Sequence, residues 1–212
     1  NCLMKLLLTS CGITNKSIEK ALLELLVKPF KDASLIFVPT AANPEEGNKN
    51  WLANDINNFR KLGFASLEIV DISKTPKDEW FSSFEKADIL VFGGGNVKYL
   101  LEWMKKSGLE KILPRLLKTK VYVGISAGSR MLNRSLILSK SGTKTDVGLG
   151  IVNFDIIPHI NSKDFPERTF EKVLEESRDI QYPVYAIDDN TAIKVADNQI
   201  NVVSEGQWKK FN

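Results

Sequence analysis

The chain alternates short apolar runs with longer segments in which apolar residues recur at helical spacing. The short runs predict buried strands at 5–9, 34–40, 66–72, 88–96 and 121–126. The longer segments predict helices at 16–30, 49–63, 76–87, 97–108 and 109–120, and a further helix begins in "AGSRML" after residue 126. Repeated β-α-β units with nearly continuous apolar strands are typical of a parallel sheet that is covered by helices on both faces.

Beyond residue 150 the pattern becomes richer in strands. Apolar runs predict strands at 151–159, 184–189, 191–197 and 199–205, with a helix around 165–178. The last three runs are separated by short polar turns, which favours antiparallel pairing. We therefore expect a single α/β domain over residues 1–212, with a doubly wound, mostly parallel sheet and an antiparallel C-terminal edge.

Composition narrows the classes of function. A net charge of +3 on 212 residues, with dispersed lysines, gives no reason to expect a nucleic-acid partner. No apolar run approaches the roughly 20 residues that span a bilayer, and no signal peptide opens the chain, so we expect no membrane association. Two cysteines and one histidine provide neither a disulfide framework nor a zinc-binding spacing. We expect a cytoplasmic protein, either a monomer or a homodimer, without a metal or an organic cofactor.

The stretch "GISAGS" at 124–129 follows a predicted buried strand and opens a predicted helix. Ligands of open α/β sheets bind beyond the carboxyl ends of the strands. Flanking glycines at such a turn expose a serine hydroxyl, here that of Ser126, as a nucleophile. The helix that begins at Ala127 would point its free N–H groups at a developing oxyanion. The motif alone leaves open whether Ser126 is a nucleophile or a small residue at a strand–helix junction.

The glycines of "FGGGN" at 92–96 form a second signal at the same edge of the sheet. Three glycines permit a close backbone approach, and their N–H groups can bind an anion, either a phosphate or the oxyanion of an acyl transfer. The stretch is neither G-x-G-x-x-G nor a P-loop, so nucleotide binding has little support. The alternative is a flexible turn beneath a closely packed helix.

A serine nucleophile needs a base, and His159 is the only histidine of the chain. His159 follows Pro158 at the end of an apolar run, which places it at the same edge of the sheet as Ser126. An acidic group then orients the imidazole, and Asp188 and Asp189 end the run "VYAIDD". Strand side chains alternate, so only one aspartate can face the ring, and periodicity does not choose between them. The pair could equally be a turn-forming cluster.

Four of these stretches together resemble a known family. In the order "FGGGN", "GISAGS", "PHIN" and "AIDDNTAI", over residues 88–195, they resemble the peptidase E (aspartyl dipeptidase) and cyanophycinase family of serine hydrolases. "VPTAAN" at 38–43 also looks like the family's second strand and its loop. The resemblance implies a fold related to class I glutamine amidotransferases, with serine in place of their cysteine.

The resemblance also implies residue roles. It assigns Ser126 as nucleophile, His159 as general base, Asp189 as the third catalytic residue, Gly95 and Ala127 as oxyanion donors, Asn96 as a pocket residue, and Arg168 as the approximate match to an arginine that holds the substrate's aspartate side chain. Family members often carry glutamate where this chain has Asp189. A further acidic residue sometimes assigned to the family's catalytic apparatus, between serine and histidine, has no clear counterpart; Asp146 is nearest in character.

We therefore expect a serine peptidase that hydrolyses small peptides at aspartyl bonds through an acyl-enzyme. A cyanophycinase-like hydrolase is one alternative. An esterase of the α/β-hydrolase type is disfavoured because that fold orders its triad Ser, Asp/Glu, His. A non-catalytic module that binds a small anion at Gly93–Gly95 is the remaining alternative. Cys11 follows the first strand and could reach the pocket, although structural thiols are more common.

Overall fold

The computed structural model describes residues 3–138 and 146–212. The strands are β1 (Lys5–Thr9), β2 (Ser34–Val38), β3 (Ser66–Ile69), β4 (Ile89–Phe92), β5 (Val121–Ile125), β6 (Asp155–Ile157), β7 (Val184–Ile187), β8 (Thr191–Ala196), β9 (Gln199–Ser204) and β10 (Trp208–Phe211). The α-helices are α1 (Lys16–Leu26), α2 (Asn50–Arg60), α3 (Lys77–Lys86), α4 (Val97–Lys106), α5 (Leu109–Leu116), α6 (Ala127–Arg130) and α7 (Phe170–Glu176). None of the helices within these ranges is long and apolar enough to cross a membrane.

Seven strands form the main sheet in the order β3-β2-β4-β5-β1-β8-β9. The first five strands of this order are mutually parallel, whereas β8 pairs antiparallel with both β1 and β9. The expected α/β class, the mostly parallel sheet and the antiparallel edge are therefore confirmed.

Successive side chains of the central strands enter different cores. In β1, Leu6 and Leu8 belong to the core beneath α3, α4 and α5, while Leu7 belongs to the core beneath α1 and α2. All three leucines are fully buried. Strands buried on both faces are apolar at every position, which is why the sequence shows continuous apolar runs there instead of alternation.

A second sheet has the order β10-β7-β6, with β6 parallel to β7 and β10 antiparallel to it. The runs at 184–189, 191–197 and 199–205 were expected to pair antiparallel with one another. This expectation is wrong for the run at 184–189, because its strand, β7, pairs with β6 and β10 and not with β8. The strand β10 was not predicted. Its sequence, "WKKF", is short and mostly exposed, so it shows no apolar run.

Several elements are shorter than the sequence pattern predicts. The first helix ends at Leu26 instead of residue 30, because Val27 adopts a left-handed φ of 60° and Pro29 follows. The strand expected at 151–159 spans only β6, and the helix expected at 165–178 spans only α7. These differences fall at element ends, where local propensity is weakest.

The carboxyl ends of strands from the two sheets lie next to one another. In the main sheet β4, β5 and β1 are neighbours, and in the second sheet β6 and β7 are neighbours. The buried side chain of Ser10, just after β1, donates from its hydroxyl to the carbonyl of Ile187 at the end of β7, over 3.3 Å. The loops that follow these five strands therefore surround one space.

Candidate active site

The loops at this junction enclose a cavity of about 550 Å³. Its wall contains every residue to which the sequence resemblance assigns a role: Gly95, Asn96, Ser126, Ala127, His159, Arg168 and Asp189. Asp146 is not among the lining residues, and its carboxylate pairs with the Lys98 ammonium over 2.7 Å. The cavity thus joins these seven residues, which lie up to 94 positions apart in the chain.

Ser126 occupies a strained turn between β5 and α6. Its φ of 49° and ψ of −103° are unusual for a residue with a side chain, and such backbone typically costs about 1–3 kcal/mol. The backbone N–H of Ser126 donates to the carbonyl of Thr9 over 3.0 Å, which holds the turn against the end of β1. The Ser126 side chain faces the cavity.

The two glycines that flank Ser126 are required by close packing. A Cβ at Gly124 would overlap the backbone of Ser129, and a Cβ at Gly128 would overlap the carbonyl oxygen of Phe92. Both glycines therefore let α6 pack directly on the sheet. The G-x-S-x-G spacing follows from this approach of helix to strand.

His159 lies between Ser126 and Asp189. Its Nε2 is 2.9 Å from the Ser126 Oγ, and its Nδ1 is 2.6 Å from the Asp189 Oδ1. The ring stacks on Phe165, with centroids 4.5 Å apart and planes inclined by 9°. The backbone N–H of His159 donates to the Ser10 hydroxyl over 3.0 Å. The imidazole is thus held from its backbone, from one face and at both nitrogens.

Two opposing effects set the pKa of Asp189. Burial raises this pKa, but the hydrogen bond and charge of His159, with smaller contributions from Cys11 and Arg168, outweigh burial and lower the pKa overall. The carboxylate is ionised at neutral pH, so the ring donates from Nδ1 to Asp189. Its Nε2 is then free to accept the Ser126 hydroxyl proton.

Asp188 makes different contacts from Asp189. Its Oδ1 accepts the Asn190 N–H over 3.0 Å and the Thr191 hydroxyl over 2.7 Å, while its Oδ2 accepts the Gln207 N–H over 2.6 Å. Asp188 therefore holds the turn before β8 and the start of β10. Of the two aspartates that periodicity could not separate, only Asp189 reaches the imidazole.

The glycine loop after β4 lies against the serine turn. A Cβ added at Gly94 would lie 3.5 Å from the Cβ of Ser126, and Gly95 has a φ of 130°. A Cβ at Gly95 would overlap the carbonyl of Ala41, so only glycine fits there. Ala127 is the first residue of α6, and its N–H is one of those that lack a partner within the helix. Gly95 and Ala127, the two residues that the resemblance assigns as oxyanion donors, thus both lie in the cavity wall with Ser126.

Asn96 has a structural role in addition to its place in the cavity wall. Its Oδ1 accepts the Tyr99 N–H over 3.0 Å and caps the N-terminus of α4. Its own N–H donates to the Ala41 carbonyl over 2.8 Å. Asn96 therefore fixes the end of the glycine loop.

Two buried guanidinium groups border the cavity. Arg168 donates from Nη1 to the Pro158 carbonyl over 3.0 Å and packs over the Phe165 ring, while Arg130 donates to the Ile137 carbonyl. Among the described residues, the Nε of each arginine has no hydrogen-bond partner. Burial lowers the pKa of Arg168 to about 10 and, together with the charge of Arg168, that of Arg130 to about 9. Both groups remain cationic at neutral pH, which favours an anionic ligand.

Asp55 in α2 also lines the cavity, and sequence reasoning missed it. Burial raises the pKa of its carboxyl to about 7. Within the described ranges, no hydrogen bond or ion pair is made by this carboxylate. Its stretch, "NDINNF", resembles any polar helix face, so no local signal marks Asp55. The cavity wall thus carries carboxylates as well as cations.

Cys11 is half-buried and belongs to the cavity wall. Burial, followed by the charge of Asp189, raises the pKa of the Cys11 thiol far above its usual value. The group is therefore a neutral thiol and not a competing nucleophile at neutral pH.

Comparison with known proteins decides the family. The model of peptidase family S51 matches residues 6–203, which is nearly the whole chain. The chain belongs to peptidase family S51. It is accordingly a serine-type peptidase, as the resemblance led us to expect.

Curated relatives agree with membership in S51, and two solved structures share the fold of this chain. An uncharacterized peptidase of Listeria monocytogenes is 29% identical over 176 residues, covering 79% of this chain and 84% of the relative. Peptidase E of Shewanella oneidensis is 27% identical over 168 residues, covering 74% of this chain and 69% of that protein. A peptidase structure from an acI-B1 Actinobacterium has a TM-score of 0.69 at 20% identity and covers 99% of this chain and 95% of its own. A structure from Listeria monocytogenes, named after peptidase E, has a TM-score of 0.78 at 24% identity. The match covers 96% of this chain and 100% of that one.

Proposed function

We propose that this S51 peptidase hydrolyses short peptides at aspartyl bonds, with Ser126 as the nucleophile. The observation that carries the proposal is the continuous chain of hydrogen bonds from Ser126 through His159 to Asp189 at the wall of the cavity. A serine hydroxyl is a poor nucleophile until an oriented base can take its proton, and this arrangement supplies both the base and its orientation.

The reaction follows from these positions. The Ser126 Oγ attacks the peptide carbonyl as the His159 Nε2 takes its proton, and Asp189 stabilises the imidazolium. The N–H groups of Gly95 and Ala127 bind the tetrahedral oxyanion, and each such donor is worth about 3 kcal/mol of barrier. The imidazolium then protonates the leaving amine, which gives the acyl-enzyme. Water attacks this ester by the same steps and releases the acid.

Charges around the cavity support the choice of substrate. The Arg168 guanidinium, whose Nε has no partner among the described residues, suits the side-chain carboxylate of an aspartyl residue. The carboxylate of Asp55 suits the N-terminal ammonium of a short peptide, because it opens on the same cavity without a cationic partner in the described ranges. The resemblance to aspartyl dipeptidases points to the same class of substrate.

The test is a peptide panel of Asp-X, Asn-X, isoaspartyl and β-aspartyl-arginine peptides, each also with an acetylated N-terminus. We expect Asp-X peptides with a free N-terminus to have the highest kcat/KM, and Ser126→Ala to lose activity by at least a thousandfold. Undiminished hydrolysis by Ser126→Ala would exclude Ser126 as nucleophile. Equal turnover of Asp-X and Asn-X peptides would exclude aspartyl specificity.

A further inference from the structure

Three different metal-ligand side chains meet beside the serine. The Cys11 Sγ is 3.7 Å from the His159 Nδ1, and the Asp189 Oδ1 is 2.6 Å from the same nitrogen. Their donor atoms all lie within 4.8 Å of one another, and all three residues line the cavity. Within residues 3–138 and 146–212, this is the one group of three or more such donors close enough to hold an ion.

We propose that Cys11, His159 and Asp189 form an inhibitory site for a thiophilic divalent cation such as Zn²⁺. The cation is not part of the hydrolytic reaction, and its inhibitory effect rests on the role proposed above for His159. Sulfur, imidazole nitrogen and carboxylate oxygen are the three donor types that zinc selects, and a tetrahedral ion with three protein ligands takes water as its fourth.

The distances between the donors suit a tetrahedral ion. Zinc bonds of about 2.3 Å to sulfur and about 2.0–2.1 Å to nitrogen place those two donors roughly 3.5 Å apart, close to the 3.7 Å between Cys11 and His159. The Nδ1 and Oδ1 atoms must separate to about 3.4 Å. The Asp189 side chain is 40% exposed, which leaves it room to make this movement.

Binding would move one ring proton and release one thiol proton. Without the cation, the His159 Nδ1–H donates to Asp189 and the Nε2 accepts from Ser126. A cation on Nδ1 needs the lone pair of that nitrogen, so the ring proton relocates from Nδ1 to Nε2. The Cys11 thiol loses its proton to solvent as it becomes a thiolate ligand. The Nε2 then carries a hydrogen and cannot take the proton of Ser126. The cation therefore traps the tautomer that is unable to act as base.

Cys11 is what distinguishes this site from an ordinary serine–histidine–aspartate arrangement. Without the thiol only two donors remain. Loss of a direct ligand should cost at least the roughly 10–100-fold in metal affinity that mutation of an outer-shell partner typically costs. Metal affinity should therefore depend on Cys11, while the arrangement of Ser126, His159 and Asp189 does not require it.

The direct test is Co²⁺ binding to the full chain, since cobalt bound to a thiolate absorbs in the near ultraviolet. We expect one equivalent of Co²⁺ to give this band in wild type and in Ser126→Ala, and Zn²⁺ to displace it. Cys2→Ser is the matched thiol control and should keep the band, whereas Cys11→Ser and Cys11→Ala should lose it. A band that disappears with Cys2 instead, or no band at all, would overturn the proposal.

The second measurement is Zn²⁺ inhibition of aspartyl-peptide hydrolysis, with each variant's rate expressed relative to its own rate in a chelator. The inhibition constant should rise at least tenfold in Cys11→Ala and stay near wild type in Cys2→Ser. Equal inhibition of both variants would overturn the site. The cobalt band does not depend on turnover, so failure of the proposed peptidase activity and failure of the metal site give different results.

Discussion

The backbone N–H of His159 donates to the hydroxyl of Ser10 over 3.0 Å, so the histidine loop is fastened to the end of β1. His159 has a φ of 64°, a left-handed conformation that the surrounding contacts must maintain. The same Ser10 hydroxyl donates to the Ile187 carbonyl, so one buried side chain connects the two sheets beside Ser126. The position of the imidazole therefore depends on a residue that takes no part in proton transfer.

Replacing Ser10 with alanine should lower kcat about tenfold and change KM little, because the ring shifts relative to Ser126 while the substrate contacts remain. Steady-state kinetics on an aspartyl dipeptide measure this split. Ser129→Ala is the matched control, since the Ser129 hydroxyl is equally buried and donates to the Thr9 carbonyl without contacting His159. An equal fall in kcat for both variants would mean that lost stability, not ring position, is responsible.

The two neighbouring aspartates should separate activity from stability. Asp189→Asn should lower kcat by about 10³–10⁴, because an amide cannot hold the Nδ1–H tautomer or stabilise the imidazolium. Asp188→Asn should leave kcat within a fewfold of wild type and cost about 1–3 kcal/mol of stability, because Asp188 accepts three hydrogen bonds at the turn before β8. Kinetics and urea unfolding of both variants give the comparison, and the reverse pattern would assign the orienting role to Asp188.

The central strands were predictable because they are buried on both faces, and the places of the candidate site residues followed from the ends of those strands. Strands such as β1 and β5 are apolar throughout, and the turns after them carry the glycines and Ser126. The second sheet was not predictable, since β6 has three residues and β10 is mostly exposed. Asp188 differs from Asp189 through its contact with Gln207, 19 residues away, which no local pattern records.

Arg168→Met should lower kcat/KM for Asp-X peptides about 100-fold and change that for Asn-X peptides little. The reason is that truncating one partner of a buried charge pair typically costs 2–5 kcal/mol, and a 100-fold loss corresponds to about 2.7 kcal/mol. Arg168→Lys should recover part of the preference through charge alone. Melting temperatures check that each variant folds. A parallel loss for both substrates would place the aspartyl contact elsewhere.

Asp55→Asn should stabilise the protein at alkaline pH and weaken its activity on peptides with a free N-terminus. Burial raises the pKa of Asp55 from its ordinary value of 3.8 to about 7, so the folded state holds this proton more tightly than the unfolded state. The contribution of the Asp55 proton to the free energy of unfolding is fully present below about pH 4, declines as the pH rises, and is lost above about pH 7. At pH 8 the free energy of unfolding of the variant should exceed that of wild type by about 1–2 kcal/mol. This is less than the full pKa shift implies, because the carboxyl lines the cavity and is partly screened by solvent.

Urea unfolding at pH 5 and pH 8 measures this gain, and Asp78→Asn, an exposed aspartate of α3, is the control. We expect the gain of Asp55→Asn over wild type to be larger at pH 8 than at pH 5, and Asp78→Asn to show no such difference. A gain that is the same at both pH values would mean that ionisation of Asp55 does not weaken the fold.

The adjacent glycines Gly94 and Gly95 should differ sharply in their tolerance of a methyl group. Gly95→Ala forces a Cβ onto the Ala41 carbonyl at a φ of 130°, so the loop must move, and with it the N–H proposed to bind the oxyanion. Gly94→Ala places its Cβ at ordinary contact distances, 3.5 Å from the Ser126 Cβ and 3.6 Å from the Trp51 ring. We expect Gly95→Ala to lower both the melting temperature and kcat, the latter at least 100-fold through the lost oxyanion donor. Gly94→Ala should have a melting temperature near that of wild type and keep kcat within about tenfold. Equal losses in the two variants would show that the overlap with Ala41 is not the cause.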